Sequence, residues 1–193
     1  MNEYDLPTMM TYENEKYFLG PYYAYGSNRS HSYSLCILDF KKRKPTAVEY
    51  FKRIIGQVVS QIEDELREDA SFWYLVAMPP HTEGQRNDPC EDLCTALAGQ
   101  FPWLQSLPGV LERTETVQKA AHAAQAGRPR PDSETHKRTI QYSDPQIRKT
   151  DYGILLIDDV FTNGHMFHAC YDIISAATHC EHIKGLFLGK TVK

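Results

Sequence analysis

The stretch ILLIDDVFTNGHMFH, residues Ile154 to His168, decides how the chain is read. Four branched apolar residues, Ile154 to Ile157, form a short continuous run suited to a strand buried on both faces, as in a parallel sheet. Asp158 and Asp159 end that run. Two acids cannot extend a buried core without partners, so they are expected to emerge at the carboxyl end of the strand, where open α/β sheets place their ligands. Thr162, Asn163 and Gly164 then make a small, turn-forming segment. Beyond it, Met166, Cys170, Ile173, Ile174 and Ala177 recur at spacings of three and four, which predicts a helix with these residues on one face. The unit is strand, acidic pair, tight loop and helix start.

The first backbone N–H groups of a helix have no partners within it and lie at the positive end of its dipole, so such a loop is built to cradle a phosphate. Gly164 lets the backbone approach closely. The carboxylates cannot bind that phosphate, but they can accept hydrogen bonds from neighbouring sugar hydroxyls. The same pattern also fits an ordinary capped strand-to-helix turn.

The stretch resembles the signature of the type I phosphoribosyltransferases: an apolar strand, two acids, two arbitrary residues, Thr-Thr-Gly, any residue, then Thr or Ser. Asp158, Asp159, Thr162 and Gly164 fall on it. The resemblance implies that Asp158 and Asp159 hold the ribose 2′- and 3′-hydroxyls of phosphoribosyl pyrophosphate (PRPP), and that Thr162, Asn163, Gly164, His165 and Met166 wrap its 5-phosphate. Asn163 stands where a second Thr is usual and Met166 where a hydroxyl residue is usual. A main-chain nest survives both changes, with the loss of one or two side-chain hydrogen bonds.

A second candidate unit lies upstream. FWYLVAM, Phe72 to Met78, reads as a buried strand, and PPHTEGQRNDP follows it. Asp88, Pro89 and Glu91 read as N-cap, first helical residue and capping-box acid of a helix carrying Leu93, Leu97 and Ala98. By the same resemblance this is the pyrophosphate loop, with Pro80, His81, Gly84 and Arg86 as contacts. A cis peptide is expected there, made less costly by Pro79 and Pro80. GVLERT, Gly109 to Thr114, is expected to be a third strand, opening a polar segment that corresponds to the family's catalytic loop. The layout is most similar to ComF-type members, although no CxxC pair precedes the transferase-like stretch. That likeness carries over Arg113, as a catalytic residue, with Thr114, Gln118, Lys119 and Arg138.

The remaining elements follow from pattern. YFLGPYYAYG and SYSLCILDFKK are expected to be two strands joined by a turn around Ser27 to His31. Lys41 to Lys44, KKRK, reads as a solvated turn, with contact to phosphate or a targeting signal as the alternatives. From Pro45 a helix is expected to run to about Glu68 on the apolar positions Val48, Phe51, Ile54, Ile55, Val58, Val59, Ile62 and Leu66. HIKGLFLGKTV supplies a last strand. Spacing among His165, His168, Cys170, His179, Cys180 and His182 lacks any paired ligand motif, so no metal site is assigned, and Cys90 with Cys94 reads as a buried pair.

At 193 residues, 41% apolar and 24% charged, the chain has the composition of a soluble globular domain with a real core. It has no run of the about 18 apolar residues that spans a bilayer and no basic-then-apolar leader, so neither a membrane span nor a signal peptide is expected, and a cytoplasmic setting is. Five cysteines, an odd number, agree with a reducing compartment. Net charge is −4, yet Arg113 to Lys149 holds eight Lys or Arg against four acids. A local basic segment in an acidic chain suits an anionic small ligand better than a nucleic-acid surface.

The expected fold is α/β, a central mostly parallel sheet flanked by helices as in the type I phosphoribosyltransferases. Residues 1–44 would form a small hood and 45–193 the core. The implied reaction is transfer of phosphoribosyl from PRPP to a nitrogenous, nucleobase-like acceptor. Mg²⁺ would enter with PRPP and pyrophosphate leave. That family usually places an acid at the position of Thr162 when the acceptor is a 6-oxopurine, so hypoxanthine and guanine are disfavoured. The alternatives are a non-catalytic PRPP- or nucleotide-binding module and a ComF-like role in DNA uptake or processing, with a homodimer or partner-protein complex as the assembly.

Overall fold

The structure is a computed structural model that describes residues 10–23, 31–118, 131–145, 147 and 149–192. In chain order its strands are β1 (Thr11–Glu13), β2 (Lys16–Phe18), β3 (Pro21–Tyr23), β4 (Trp73–Ala77), β5 (Leu104–Ser106), β6 (Leu111–Arg113), β7 (Ile140–Tyr142), β8 (Gly153–Phe161) and β9 (His182–Val192). The helices are α1 (Ser32–Lys41), α2 (Pro45–Gln61), α3 (Glu63–Asp69), α4 (Asp88–Gln100), α5 (Ser133–Arg138) and α6 (His165–Thr178). No helix among the described residues is long and apolar enough to cross a membrane.

The fold is α/β. A mixed, mostly parallel sheet runs in the order β1-β2-β9-β8-β4-β5, and β3 also pairs with β9. Every pairing in this sheet is parallel except β1 with β2. The N-terminal strands therefore extend the same sheet as β8 and β4. Alternation along β8 serves two cores. Leu155 and Ile157 pack with residues of α1 to α4 on one face, while Ile154 and Leu156 pack with Phe167, Cys170 and Ile174 of α6 on the other. Each such Leu or Ile withdrawn from water contributes about 1.5–3 kcal/mol. Backbone closeness is part of that packing: a Cβ at Gly153 would stand 2.7 Å from the Trp73 ring, whose indole Nε1 donates to Leu66 O at 2.9 Å.

The structure corrects several expectations. SYSLCILDFK is helix α1, not a strand, because Tyr33, Cys36, Ile37 and Phe40 are spaced by three and four and bury one helical face. Most of the turn expected before it lies outside the described residues. The long helix from Pro45 divides into α2 and α3 at Ile62, whose φ of −105° and ψ of 8° leave the helical basin. The strand expected within Gly109–Thr114 is present as β6, but it stands apart from the main sheet. β6 instead pairs antiparallel with β7 in a separate two-stranded sheet, whose Leu111 and Ile140 pack on the α6 face. The acidic pair does not stop β8, which continues through Phe161 because the eleven-residue β9 still offers partners, Val160 opposite Gly189 and Phe161 opposite Lys190. No described peptide bond is cis, so Pro79 and Pro80 follow trans bonds. The buried face of α6 centres on Phe167, Cys170 and Ile174, with Ala177 exposed.

Candidate functional site

Strand lengths create the site. β4 ends at Ala77, opposite Ile157, with Met78 N donating to Ile157 O at 2.9 Å. β8 runs four residues further, so Asp158 and Asp159 stand beyond the end of their β4 neighbour, at the carboxyl edge of the parallel strands. Successive strand residues face opposite ways. Asp158 lines a small recess with Met78, Thr162, Gly164, Met166 and Phe167, on the α6 side. Asp159 instead meets Lys41, from the last turn of α1, with Nζ 2.9 Å from Oδ1.

Each carboxyl group is fixed by partners. Asp158 Oδ1 accepts from the Asp159 backbone N–H at 2.9 Å and from Asn87 Nδ2 at 3.3 Å; Asn87 Nδ2 also donates to Met78 O at 3.0 Å. Burial first, and the neighbouring Asp159 carboxylate second, push the Asp158 carboxyl well above the ordinary carboxylate range, against the pull of Lys41 and of its hydrogen bonds. Burial opposes the charge on Lys41, but the adjoining Asp159 carboxylate outweighs it and leaves the ammonium above its ordinary value.

The short loop into α6 follows directly. Gly164 occupies the N-cap with φ +80°, a left-handed conformation natural to glycine. A Cβ there would stand 2.9 Å from Phe161 Cζ. Asn163 Oδ1 accepts from the His165 N–H at 3.3 Å and from Thr162 Oγ1 at 3.4 Å, so this side chain partly occupies the helix start. His165 Nδ1 lies 3.3 Å from Ser133 Oγ of α5. Asp158, Asp159, Thr162, Asn163, Gly164, His165 and Met166 are thus held together at one sheet edge.

The loop between β4 and α4 is fastened to β6 from beside the recess. Gly84 N donates to Arg113 O at 3.2 Å, and His81 O accepts from Val117 N at 2.8 Å. Arg113 is 2% exposed. Its Nε donates to Pro80 O at 3.0 Å, Nη1 to Thr139 Oγ1 at 2.5 Å, and Nη2 to Met166 Sδ at 3.2 Å. Nη2 also lies 3.4 Å from His136 Nδ1. Because a guanidinium only donates, this contact selects the His136 tautomer with Nδ1 as acceptor. Burial, followed by Arg113 and then His81, pushes the His136 imidazole down to about 4. Burial also lowers the guanidinium from its ordinary value.

Other expected positions are less central. Gly84 is exposed with φ +65° and open space where a Cβ would stand. Arg86 turns along α4, its guanidinium bound to both Glu91 oxygens, at 3.2 Å and 2.6 Å. Glu91 therefore does not close a capping box, and the N-cap residue is Asn87 rather than Asp88. Thr114 and Gln118 are exposed, as is Arg138 at the last turn of α5. Lys119 lies outside the described residues. Sequence reasoning missed Lys41, Asn87, His136 and Thr139 as site partners. For Lys41 the KKRK cluster was a signal, whereas the other three become visible only once the loops dock.

Compared with protein-family models and with curated proteins, the chain matches none.

Proposed function

We propose that this protein binds PRPP at the carboxyl edge of β8 and transfers its phosphoribosyl group to a nitrogenous acceptor, with the architecture of a type I phosphoribosyltransferase. The observation that carries the reading is the juxtaposition of Asp158 and Asp159 with a glycine-capped helix start on one short loop. A phosphate at Gly164 to Met166 would meet backbone donors and the positive end of the fourteen-residue α6. Sugar hydroxyls would then lie toward the carboxyl groups. Asp158 and Asp159 accept from them, Asp159 beside Lys41.

In the reaction the bond between C1 and the diphosphate oxygen breaks, its electron pair leaving with pyrophosphate, and the acceptor nitrogen forms the new bond to C1. The acceptor's proton passes to solvent or to the leaving group. The chain's part is to orient the sugar, exclude water and stabilise charge at C1 rather than to supply a nucleophile. Magnesium would be carried in on the diphosphate, where Asp158 and Asp159 would offer carboxyl oxygens to its waters.

Calorimetric titration with PRPP and Mg²⁺ tests the proposal. Micromolar binding is expected, lost in the Asp158→Asn/Asp159→Asn double variant; equal binding by that folded variant would sink the assignment. A second reading, a module that binds PRPP or a nucleotide without turnover, is favoured by Asn163, whose side chain already engages the His165 N–H. Pyrophosphate release during a screen of bases separates the two.

A further inference from the structure

A buried charge is normally paired, because the desolvation it suffers needs a compensating opposite charge and satisfied hydrogen bonds. Arg113 breaks this pattern. It is 2% exposed, yet its partners among the described residues are a carbonyl, a hydroxyl, an imidazole nitrogen and a thioether, with no carboxylate. Residues 119–130, which follow β6 in the chain, contain no acidic side chain. The surroundings add to the imbalance. Met166 is the second residue of α6, so the guanidinium lies against the positive end of a helix dipole, where a cation is disfavoured. His136, the other partner of Nη2, is held neutral and supplies no counter-charge.

The thioether marks where a counter-ion would enter. A sulfur is a weak acceptor, and methionine, with three rotatable side-chain bonds, moves easily. Met166 both accepts from Arg113 Nη2 and lines the recess with Asp158, Thr162 and Gly164. It therefore stands between the buried cation and the open side of the helix start. We propose that Arg113 is the counter-ion of a phosphate group bound at the start of α6, and that the Met166 thioether holds its place in the free protein. The inference rests on the sugar-phosphate reading of the same loop. To that reading it adds a buried charge, and it moves Arg113 from the reacting centre to the phosphate end.

Arg113→Met, which keeps the volume and removes the charge, and Arg113→Lys, which keeps the charge, test this on the full chain. Thermal unfolding and calorimetry are run with inorganic phosphate, pyrophosphate, ribose 5-phosphate and PRPP. Wild type should be stabilised by all four. Arg113→Met should unfold at the same or a higher temperature without ligand, and bind ribose 5-phosphate at least roughly tenfold more weakly, the loss of one charge-assisted contact. Arg113→Lys should fall between them. A purely structural brace predicts the reverse, a less stable free protein whose phosphate affinity survives, and that result would overturn the inference while leaving the PRPP reading intact. Failure of Arg113→Met to fold would also count against it, since removing an uncompensated buried charge should offset the hydrogen bonds to Pro80 O and Thr139 Oγ1 that are lost with it. If wild type responds to none of the four ligands, both readings fall.

Discussion

β4 and β8 are parallel neighbours, and each hands the chain to a helix at the same edge of the sheet, but the two crossings are built differently. From β4 the chain takes ten residues, 78–87, to reach α4. That path is fixed mainly from outside, by Arg113 on Pro80 O, Val117 on His81 O and Thr116 Oγ1 on Glu83 N. From β8 only residues 162–164 precede α6, and they are fixed from within, by one left-handed glycine and the Asn163 side chain. The short crossing places backbone donors against the acidic pair as a consequence of local conformation. The long crossing depends on the rest of the molecule to hold it, and it contributes Asn87, the N-cap residue of α4, whose amide turns into the site instead of capping its helix.

Breaking the short crossing should have the largest effect. Gly164→Val forces a β-branched residue to φ +80° and drives its Cβ into the Phe161 ring. Strain of this kind costs roughly 1–3 kcal/mol. Urea unfolding should register that loss, and PRPP binding should disappear because the helix start can no longer close. A Gly164→Val variant that binds PRPP normally would show that the loop's backbone shape is irrelevant to the ligand.

The junction between the crossings is the Asn87–Asp158 contact. Asn87→Ala removes the donor shared by Met78 O and Asp158 Oδ1, at a cost of about 1–3 kcal/mol for the acceptors left buried. Asp158 also makes stability depend on pH. Its folded-state pKa lies above the unfolded value, so its favourable contribution is full below the ordinary carboxylate range and is lost as pH rises toward the folded value. Asp158→Asn should therefore gain stability over wild type at neutral pH, by on the order of 1 kcal/mol or more. Denaturation at about pH 5 and about pH 8 checks the sign: the buried neutral His136 adds stability over this range in both proteins, so the test is the difference, and the variant's advantage over wild type should grow from the lower pH to the higher.

Much of the short crossing was legible in the sequence because its signals are local. An unbroken ILLI run, two acids and a glycine before a three-and-four apolar pattern locate β8, the acidic pair and α6 within a few residues. Likewise β4 and β9 were legible as apolar runs. What failed was tertiary or ambiguous in pattern. SYSLCILDF has the aromatic and branched content of a strand, and only the spacing of Tyr33, Cys36, Ile37 and Phe40 reveals a helix. The same ambiguity hides Lys41, since a lysine in a solvated turn after a strand has no reason to reach Asp159, whereas one on the last turn of α1 does. The resemblance to ComF-type members carries Arg113 over as part of the reacting centre. Its burial beneath Met166 depends on the β6–β7 hairpin packing against α6, and no local pattern encodes that docking.

The smallest effect on stability is expected at Arg86, in the externally held crossing. Its guanidinium is more than half exposed and already paired with Glu91, and such surface pairs contribute about 0–1 kcal/mol. Arg86→Ala should leave the unfolding midpoint nearly unchanged, which makes it a clean probe of ligand binding alone. If the long crossing receives the diphosphate and the short one the 5-phosphate, affinity for PRPP should fall several-fold while affinity for ribose 5-phosphate stays constant. Equal losses for both ligands would mean that the two crossings do not divide the phosphates between them. No loss for either would mean that Arg86 stays on Glu91 throughout, leaving the main chain of residues 79–85 as the long crossing's contribution to binding.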